Sequence, residues 1–467
     1  MSNNIIPFSN YRGSPQLRWS LDELLVDSFC GGGGVSTGIE RALGRSVDYA
    51  INHSPDAISM HQVNHPQTFH FNESVWNVEP RDVSKDRPVG LVWASPDCTH
   101  HSRAKGGKPV SKTIRGLAWY ALKWAVQVKP RLIMLENVEE LLTWGPLTKR
   151  GRPDKRKLGQ TFNKFIARLE RAGYVVEYRV LRCSDYGIPT SRRRFFLIAR
   201  RDGAKIVWPN KTHGPAGSGL KAFIPASSII DWSLPCPSIF TRKKPLVENT
   251  LKRISLGLER FVLNNPEPFI LRGKEKAEHL KSAFIGRHKF MNAGQDITLP
   301  IPTITAGCGS KRPSGAAQSL ALHTVDLRRI RIKPGIKTLE QNSQQVSAFL
   351  VKYYGSKKDG CKLSEPLDTV TSKERFGLVA VYGSLYEVVD IGMRMLQPHE
   401  LYRAHGFPTD YIFTKDKSGR PLSKSKQVAM VGNSVPPAMA ELLVKCNYHE
   451  EKNDSEHYVA DEASLRA

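Results

Sequence analysis

The first two hundred residues alternate short apolar runs with helical stretches, and this alternation confines the chain to one class of fold. Leu24-Leu-Val-Asp-Ser-Phe is a compact apolar strand, followed by Gly31 to Gly34 and a helical stretch over 35–43, with Gly44 as its stop. Further strands are predicted at 47–51, 68–71, 91–94, 132–135, 175–181 and 194–199. Helices are predicted from Ser54-Pro-Asp onward, over 114–128 and over 161–172, with Gly173 just past the last. Strands separated by helices imply an α/β architecture, a mostly parallel, doubly wound sheet covered on both faces.

From about Val207 the texture changes. Pro, Gly and basic residues become frequent and the strand–helix rhythm is lost. We read 1–205 as the first part of one domain and 206–390 as a second, smaller, irregular β-rich domain. Helical signals over 391–446 return to the first, and 447–467 is a polar tail expected to fray. The second domain contains two similar phrases, Leu299-Pro-Ile-Pro-Thr-Ile-Thr-Ala and Glu365-Pro-Leu-Asp-Thr-Val-Thr-Ser. They set Thr303 and Thr369 at matching positions, through duplication or through two turns of similar composition.

Lysine and arginine number 69 against 44 aspartates and glutamates, a formal net charge of +25. The excess suits a polyanionic partner, most simply nucleic acid, although a generally basic surface gives the same count. The 7 cysteines are scattered without a CxxC pair, which argues against a disulfide framework or a zinc ribbon; no metal site is expected. No apolar run approaches membrane-spanning length, and Met1-Ser-Asn-Asn-Ile-Ile-Pro has no secretory pattern, so the expectation is a cytoplasmic protein with no membrane partner.

Asp27-Ser-Phe-Cys-Gly-Gly-Gly-Gly-Val-Ser joins the first strand to the first helix. Glycines there let the backbone approach a ligand, and the helix start offers unpaired N–H groups. The turn lacks the third glycine of a dinucleotide fingerprint and the lysine of a P-loop, so it reads as a nucleotide-like cofactor site or as a plain tight connection. The run Val89-Gly-Leu-Val-Trp-Ala stops at Pro96, with Cys98 just beyond. Arg131-Leu-Ile-Met-Leu-Glu ends in Glu136 in the same way. A strand-end thiol is commonly inert packing. Beside a carboxyl on a second strand end, at the edge where open α/β sheets place their chemistry, it becomes a candidate nucleophile. In Thr190-Ser-Arg-Arg-Arg-Phe-Phe, Arg192 and Arg194 share one strand face opposite Arg193, poised for an anion or a carbonyl oxygen, or at a solvated edge. Basic loops follow Cys98, with Arg103, Lys105, Lys108 and Lys112, and run from Lys149 to Lys157; the latter suits phosphate contact and simple solvation equally.

In motif order and over nearly its whole length, the chain resembles the DNA cytosine-5 methyltransferase family of bacterial or phage type. The motifs are Asp27-Ser-Phe-Cys-Gly-Gly-Gly-Gly, Pro96-Asp-Cys98, Glu136-Asn-Val, Thr190-Ser-Arg-Arg-Arg, Arg394-Met-Leu-Gln-Pro-His-Glu with Gly406-Phe-Pro, and Gly432-Asn-Ser-Val. Three positions depart from the family pattern: Asp97 stands for the proline before the cysteine, Thr190 for a glutamine, and His53 for the glutamate expected on the cofactor ribose.

The resemblance implies a Rossmann-like fold that binds S-adenosylmethionine and a target-recognition domain. It also implies methyl transfer to carbon 5 of a flipped-out cytosine in a specific sequence of double-stranded DNA. Cys98 would be the covalent nucleophile, Glu136 the group on ring N3, Arg194 the group on the base O2, and Arg192 its support. Asp27, Phe29, Gly31, Gly33, Gly34, His53, Glu73, Pro96, Asn433 and Val435 would line the cofactor. Arg103, Lys105, Lys108 and Lys112 would contact DNA from a lid, and Thr303 and Thr369 from the second domain. A monomer is expected, with or without a restriction endonuclease partner. The alternatives are a cytosine-5 methyltransferase acting on RNA and a catalytically silent DNA-binding homologue in which Asp97 has spoiled the thiol.

Overall fold

The computed structural model describes residues 23–98, 101, 112–271, 278–288, 292–305, 320–329, 378–381 and 384–448. Strand β1 (Leu24–Ser28) is buried along its whole length, as are β4 (Val89–Ala94) and β5 (Leu132–Asn137). Strands without a solvent-facing side belong at the centre of a sheet covered on both faces, which is what their unbroken apolar runs require. The sheet is seven-stranded, ordered β3-β2-β1-β4-β5-β7-β6. It includes β2 (Tyr49–Ile51), β3 (Phe69–Phe71), β6 (Val175–Arg182) and β7 (Arg193–Arg200). The first five run parallel, and β7 and β6 close one edge antiparallel.

From β1 the chain winds outward to β2 and β3, then jumps back to lay β4 and β5 on the other side. The winding reverses between β1 and β4, so a crevice opens beyond their carboxyl ends. Ser28 pairs with Ala94, so the glycine turn and the Pro96–Cys98 segment leave the sheet side by side.

Helix α1 (Gly34–Leu43) closes on Gly44, whose positive φ admits glycine readily. Helix α2 (Pro55–Asn64) opens as the sequence suggests: Ser54 Oγ accepts from the Ala57 amide and Pro55 is the first helical residue. A short helix, α3 (Pro80–Ser84), precedes β4. The single helix expected over 114–128 is instead two, α4 (Lys112–Arg115) and α5 (Trp119–Gln127). Around Gly116 the amides of Leu117 and Trp119 reach back only three residues, so the chain tightens there and changes direction. Helix α6 (Gln160–Arg171) buries Phe162, Phe165 and Leu169 against the sheet.

Beyond β7 a small parallel pair, β8 (His213–Gly214) and β9 (Lys221–Ala222), precedes α7 (Glu248–Leu258). The second sheet is five-stranded and antiparallel, ordered β11-β10-β12-β14-β13. Its members are β10 (His279–Arg287), β11 (Gln295–Asp296), β12 (Leu320–Arg329), β13 (Leu378–Val381) and β14 (Ser384–Met395). Ile254 and Leu258 of α7 pack on Phe284, Val325 and Ile391. Gly257 permits the close approach, since a Cβ there would lie 2.2 Å from the Phe284 ring.

β14 leads straight into α8 (Pro398–Ala404), whose capping box pairs Gln397 with Glu400. Helices α9 (Lys424–Asn433) and α10 (Pro437–Asn447) then return to the first sheet. α10 lies on α1 at Gly38, where a Cβ would sit 2.4 Å from the Pro437 carbonyl. Among the described residues no helix is long and apolar enough to cross a membrane.

Candidate active site

Three strand ends meet at the crevice. Pro96 ends β4's extension and is buried, and Cys98 follows, half-buried. Asn137, the last residue of β5, fixes this segment: its Nδ2 donates to the Pro96 carbonyl at 2.9 Å, while its Oδ1 accepts from the Val138 amide at 2.9 Å. The same strand brings Glu136, 6% exposed, to the site. From the antiparallel neighbour β7, Arg194 Nε approaches Glu136 Oε1 to 3.1 Å. That oxygen has no hydrogen bond, so the contact is an ion pair with its N–H off the axis, and the carboxyl keeps a lone pair for another partner.

The alternation read from Arg192-Arg-Arg holds. Arg192 is 2% exposed, and its Nη1 donates to the Gly432 carbonyl at 3.0 Å and the Ile304 carbonyl at 3.4 Å. Arg193 points the other way and meets Glu139 at 3.2 Å near solvent. Arg192 therefore braces three parts of the chain against one another, and Arg194 faces the carboxyl.

Electrostatics follow from burial. The Glu136 carboxyl is raised above its ordinary range by burial, with Arg194 and then Arg192 pulling it back down. The Cys98 thiol is also raised, first by burial; Arg194 opposes this, Glu136 adds to it, Arg192 opposes it and Asp97 adds a smaller push. Burial and the Arg194 charge bring Arg192 down to about 10. A thiol, a carboxyl with an unused lone pair and two guanidinium groups can together add sulfur to an electron-poor ring while hydrogen-bonding its polar edge.

On the other side of the crevice, Phe29 has φ 66° and Gly31 and Gly33 also have positive φ, which turns the chain sharply out of β1. Tyr411 donates its hydroxyl proton to the Gly32 carbonyl. A Cβ on Gly34 would lie 2.1 Å from Ser434 Oγ and 2.3 Å from the Val435 carbonyl, so the first and last motifs touch through a glycine. Asp27 is fully buried; Ser36 Oγ donates to its Oδ2 at 2.8 Å, and its Oδ1 has no partner. Ser28 Oγ is likewise buried and unpartnered. At Gly31 a Cβ would meet only the Phe29 carbonyl, at 3.9 Å. Orphaned buried acceptors beside an open glycine turn fit a ligand that brings donors and a positive charge, as S-adenosylmethionine does. His53 and Glu73 stand exposed beyond β2 and β3, Asn433 is exposed at the end of α9, and Val435 is buried.

Of the candidate DNA contacts, Arg103, Lys105, Lys108 and Thr369 lie outside the described residues, as does the Lys112 side chain at the start of α4. Thr303 is half-buried. It lies between Ile301, bridged to Thr190, and Ile304, whose carbonyl Arg192 holds. The structure gives a role to two motif residues that the sequence left without one. Arg394 and Glu400 form a buried double contact at 2.7 and 2.8 Å that ties β14 to α8. Their spacing within Arg394-Met-Leu-Gln-Pro-His-Glu, around a helix cap, was the available signal.

A sequence profile for C-5 cytosine-specific DNA methylases matches residues 25–447. The chain belongs to this family. Curated relatives include the Type II methyltransferase M.AgeI of Thalassovita gelatinovora, 28% identical over 193 residues, covering 40% of this chain and 42% of that protein. The Type II methylase M.HgiDII of Herpetosiphon aurantiacus is 30% identical over 200 residues, covering 41% and 50%. The chain thus spans about half the length of these family members. The crystal structure of the S. pombe Dnmt2 methyltransferase superposes with TM-score 0.48 at 14% identity, covering 91% of this chain and 97% of that one.

Proposed function

We propose that the chain transfers a methyl group from S-adenosylmethionine to carbon 5 of a flipped-out cytosine in a specific duplex DNA sequence. The observation that carries the reading is the convergence of Cys98, Glu136 and Arg194, from β4, β5 and β7, on one crevice. The family membership of residues 25–447 supports the same reaction class.

Carbon 5 of cytosine is a weak nucleophile while the ring is aromatic. Cys98 Sγ, as thiolate, forms a bond to carbon 6 and breaks that aromaticity. Glu136 donates a proton to ring N3 as the negative charge develops there; burial raises this carboxyl and favours its protonated form, against the pull of Arg194. Arg194 hydrogen-bonds the base O2, and Arg192 holds the floor of the site through the Gly432 and Ile304 carbonyls. The cofactor, when bound, supplies an electrophilic methyl group. Loss of the carbon 5 proton to solvent base then lets the C–S bond break, N3 returns its proton to Glu136, and the Cys98 thiolate is released. Asp27, Phe29, the turn Gly31–Gly34, Pro96 and Val435 form the cofactor's surroundings, with His53, Glu73 and Asn433 at its rim. The base contacts come from the domain holding β10 to β14, with phosphate contacts supplied by the excess of positive charge.

Bisulfite sequencing of DNA from cells expressing the chain tests the proposal. Protected cytosines within one fixed sequence are expected, lost with Cys98→Ala. Complete conversion despite folded, abundant protein would reject it.

A further inference from the structure

Beneath the glycine turn a line of side chains crosses four elements. His70 Nε2 of β3 is 2.8 Å from His61 Nδ1 of α2, His61 Nε2 is 2.9 Å from Ser36 Oγ of α1, and Ser36 Oγ donates to Asp27 Oδ2 of β1 at 2.8 Å. Proton inventory gives the line a direction. Ser36 has one hydroxyl proton. With that proton donated in the hydrogen bond to Asp27, Ser36 Oγ accepts from His61 Nε2–H, which leaves Nδ1 to accept from His70 Nε2–H. Both rings are neutral: burial, then the neighbouring histidines, push His61 well below its ordinary value, and burial brings His70 to about 4.

We propose that His61, acting through Ser36, is a positioning residue that commits one oxygen of Asp27 and leaves the other as the acceptor for a cationic group of the cofactor. The proposal rests on the reading of the glycine turn as the S-adenosylmethionine site. Asp27 Oδ1 is the buried, partnerless atom that the cofactor's ammonium group, also present on S-adenosylhomocysteine, would satisfy.

The line also acts on the charge of Asp27. Burial raises this carboxyl to about 7, against the Ser36 hydroxyl and backbone amide, which lower it. It therefore titrates around neutral pH, and donors pointing along the line favour the carboxylate. The other titratable groups around the line are the Cys30 thiol beside Asp27, His65 packed on His61 with ring centroids 4.4 Å apart, Glu40 at 3.0 Å from His65, and Lys417 acting on His70. None of them replaces His61 as the donor to Ser36. Loss of that donor raises Asp27 further, so cation binding weakens at neutral pH and recovers as pH rises.

The test is calorimetric binding of S-adenosylhomocysteine to the full chain from pH 6 to 8.5, for wild type, His61→Phe, His61→Gln and Ser36→Ala. His61→Phe should bind several-fold more weakly at pH 7, at most the roughly tenfold that one pKa unit represents, with its pH midpoint moved upward. Ser36→Ala, a smaller change, should share that shift. His61→Gln keeps an N–H donor and should remain close to wild type. Wild-type affinity and an unchanged midpoint in both Ser36→Ala and folded His61→Phe would overturn the positioning role alone. Equal weakening by His61→Gln and His61→Phe without a midpoint shift would also overturn it. A wild-type chain that binds none of the nucleoside at any pH would overturn the cofactor reading, and this proposal with it.

Discussion

Replacing Arg194 by methionine tests the electrostatic core of the site. The side chains of Arg194 and Glu136 are 13% and 8% exposed and stand 3.1 Å apart. At an effective dielectric of 20 that separation corresponds to an attraction of roughly 5 kcal/mol, and removing one partner of a buried pair typically costs about 3–5 kcal/mol. The variant can evade part of the loss by keeping Glu136 protonated, which fixes the sign of the pH dependence. Glu136 already lies above its ordinary value, and Arg194 is the largest influence pulling it down. Without Arg194 it rises further. A carboxyl raised on folding is at no disadvantage below its unfolded pKa, and stability is lost as pH climbs from there to the folded pKa.

The deficit of Arg194→Met should therefore be small at pH 5 and grow by up to about 1.4 kcal/mol per pH unit until Glu136 ionises. Adding Glu136→Gln removes the charge and should restore at least half of the loss at pH 8. Urea unfolding followed by tryptophan fluorescence at pH 5 and pH 8 measures all four corners of the cycle. A deficit that is the same at both values, with single-mutant effects adding to within about 0.5 kcal/mol, would show that the two groups are not energetically paired.

Asn137→Ala leaves the buried Pro96 carbonyl and Val138 amide unpaired, which costs about 1–3 kcal/mol. Because Pro96 holds the Cys98 segment, single-turnover methyl transfer should fall about 100-fold with DNA affinity unchanged in a filter-binding assay. Asp97→Asn removes one of the influences raising the Cys98 thiol, so the acidic limb of the pH–rate profile should move to lower pH. Because Asp97 is exposed, the shift should stay below about one unit. Gly34→Ala drives a methyl group into Ser434 Oγ and the Val435 carbonyl, and should lower stability by about 1–3 kcal/mol in thermal unfolding.

The catalytic half of the fold was legible because its strands are short unbroken apolar runs that end at chemically distinctive residues. Cys98, Glu136 and Arg194 each lie where a strand meets the crevice, and the two-residue period separated Arg192 from Arg193 correctly. The partners of Arg192 were not legible: they are the backbone carbonyls of Ile304 and Gly432, a type of acceptor that every residue carries. Nor did the sequence reveal the five-stranded sheet, in which β12 pairs with β14 across more than fifty intervening residues and Lys281, His323 and Arg328 interrupt any apolar alternation. The helix expected over 114–128 broke at Gly116 because tight turns took over there. The line from His70 to Asp27 was hidden for a different reason: its four residues belong to four elements, and only the winding of the sheet brings them together.

In the proposed reaction Cys98 forms the covalent bond to the base. Incubating the protein and cofactor with a random-sequence duplex containing 5-fluorocytosine, where carbon 5 has no proton to lose, should trap the adduct. Peptide mass spectrometry should then find a methylated fluorodeoxycytidine on Cys98, and Cys98→Ser should give no adduct while still binding DNA. An adduct on another residue, such as Cys183, or one that persists in Cys98→Ser, would show that Cys98 is not the nucleophile.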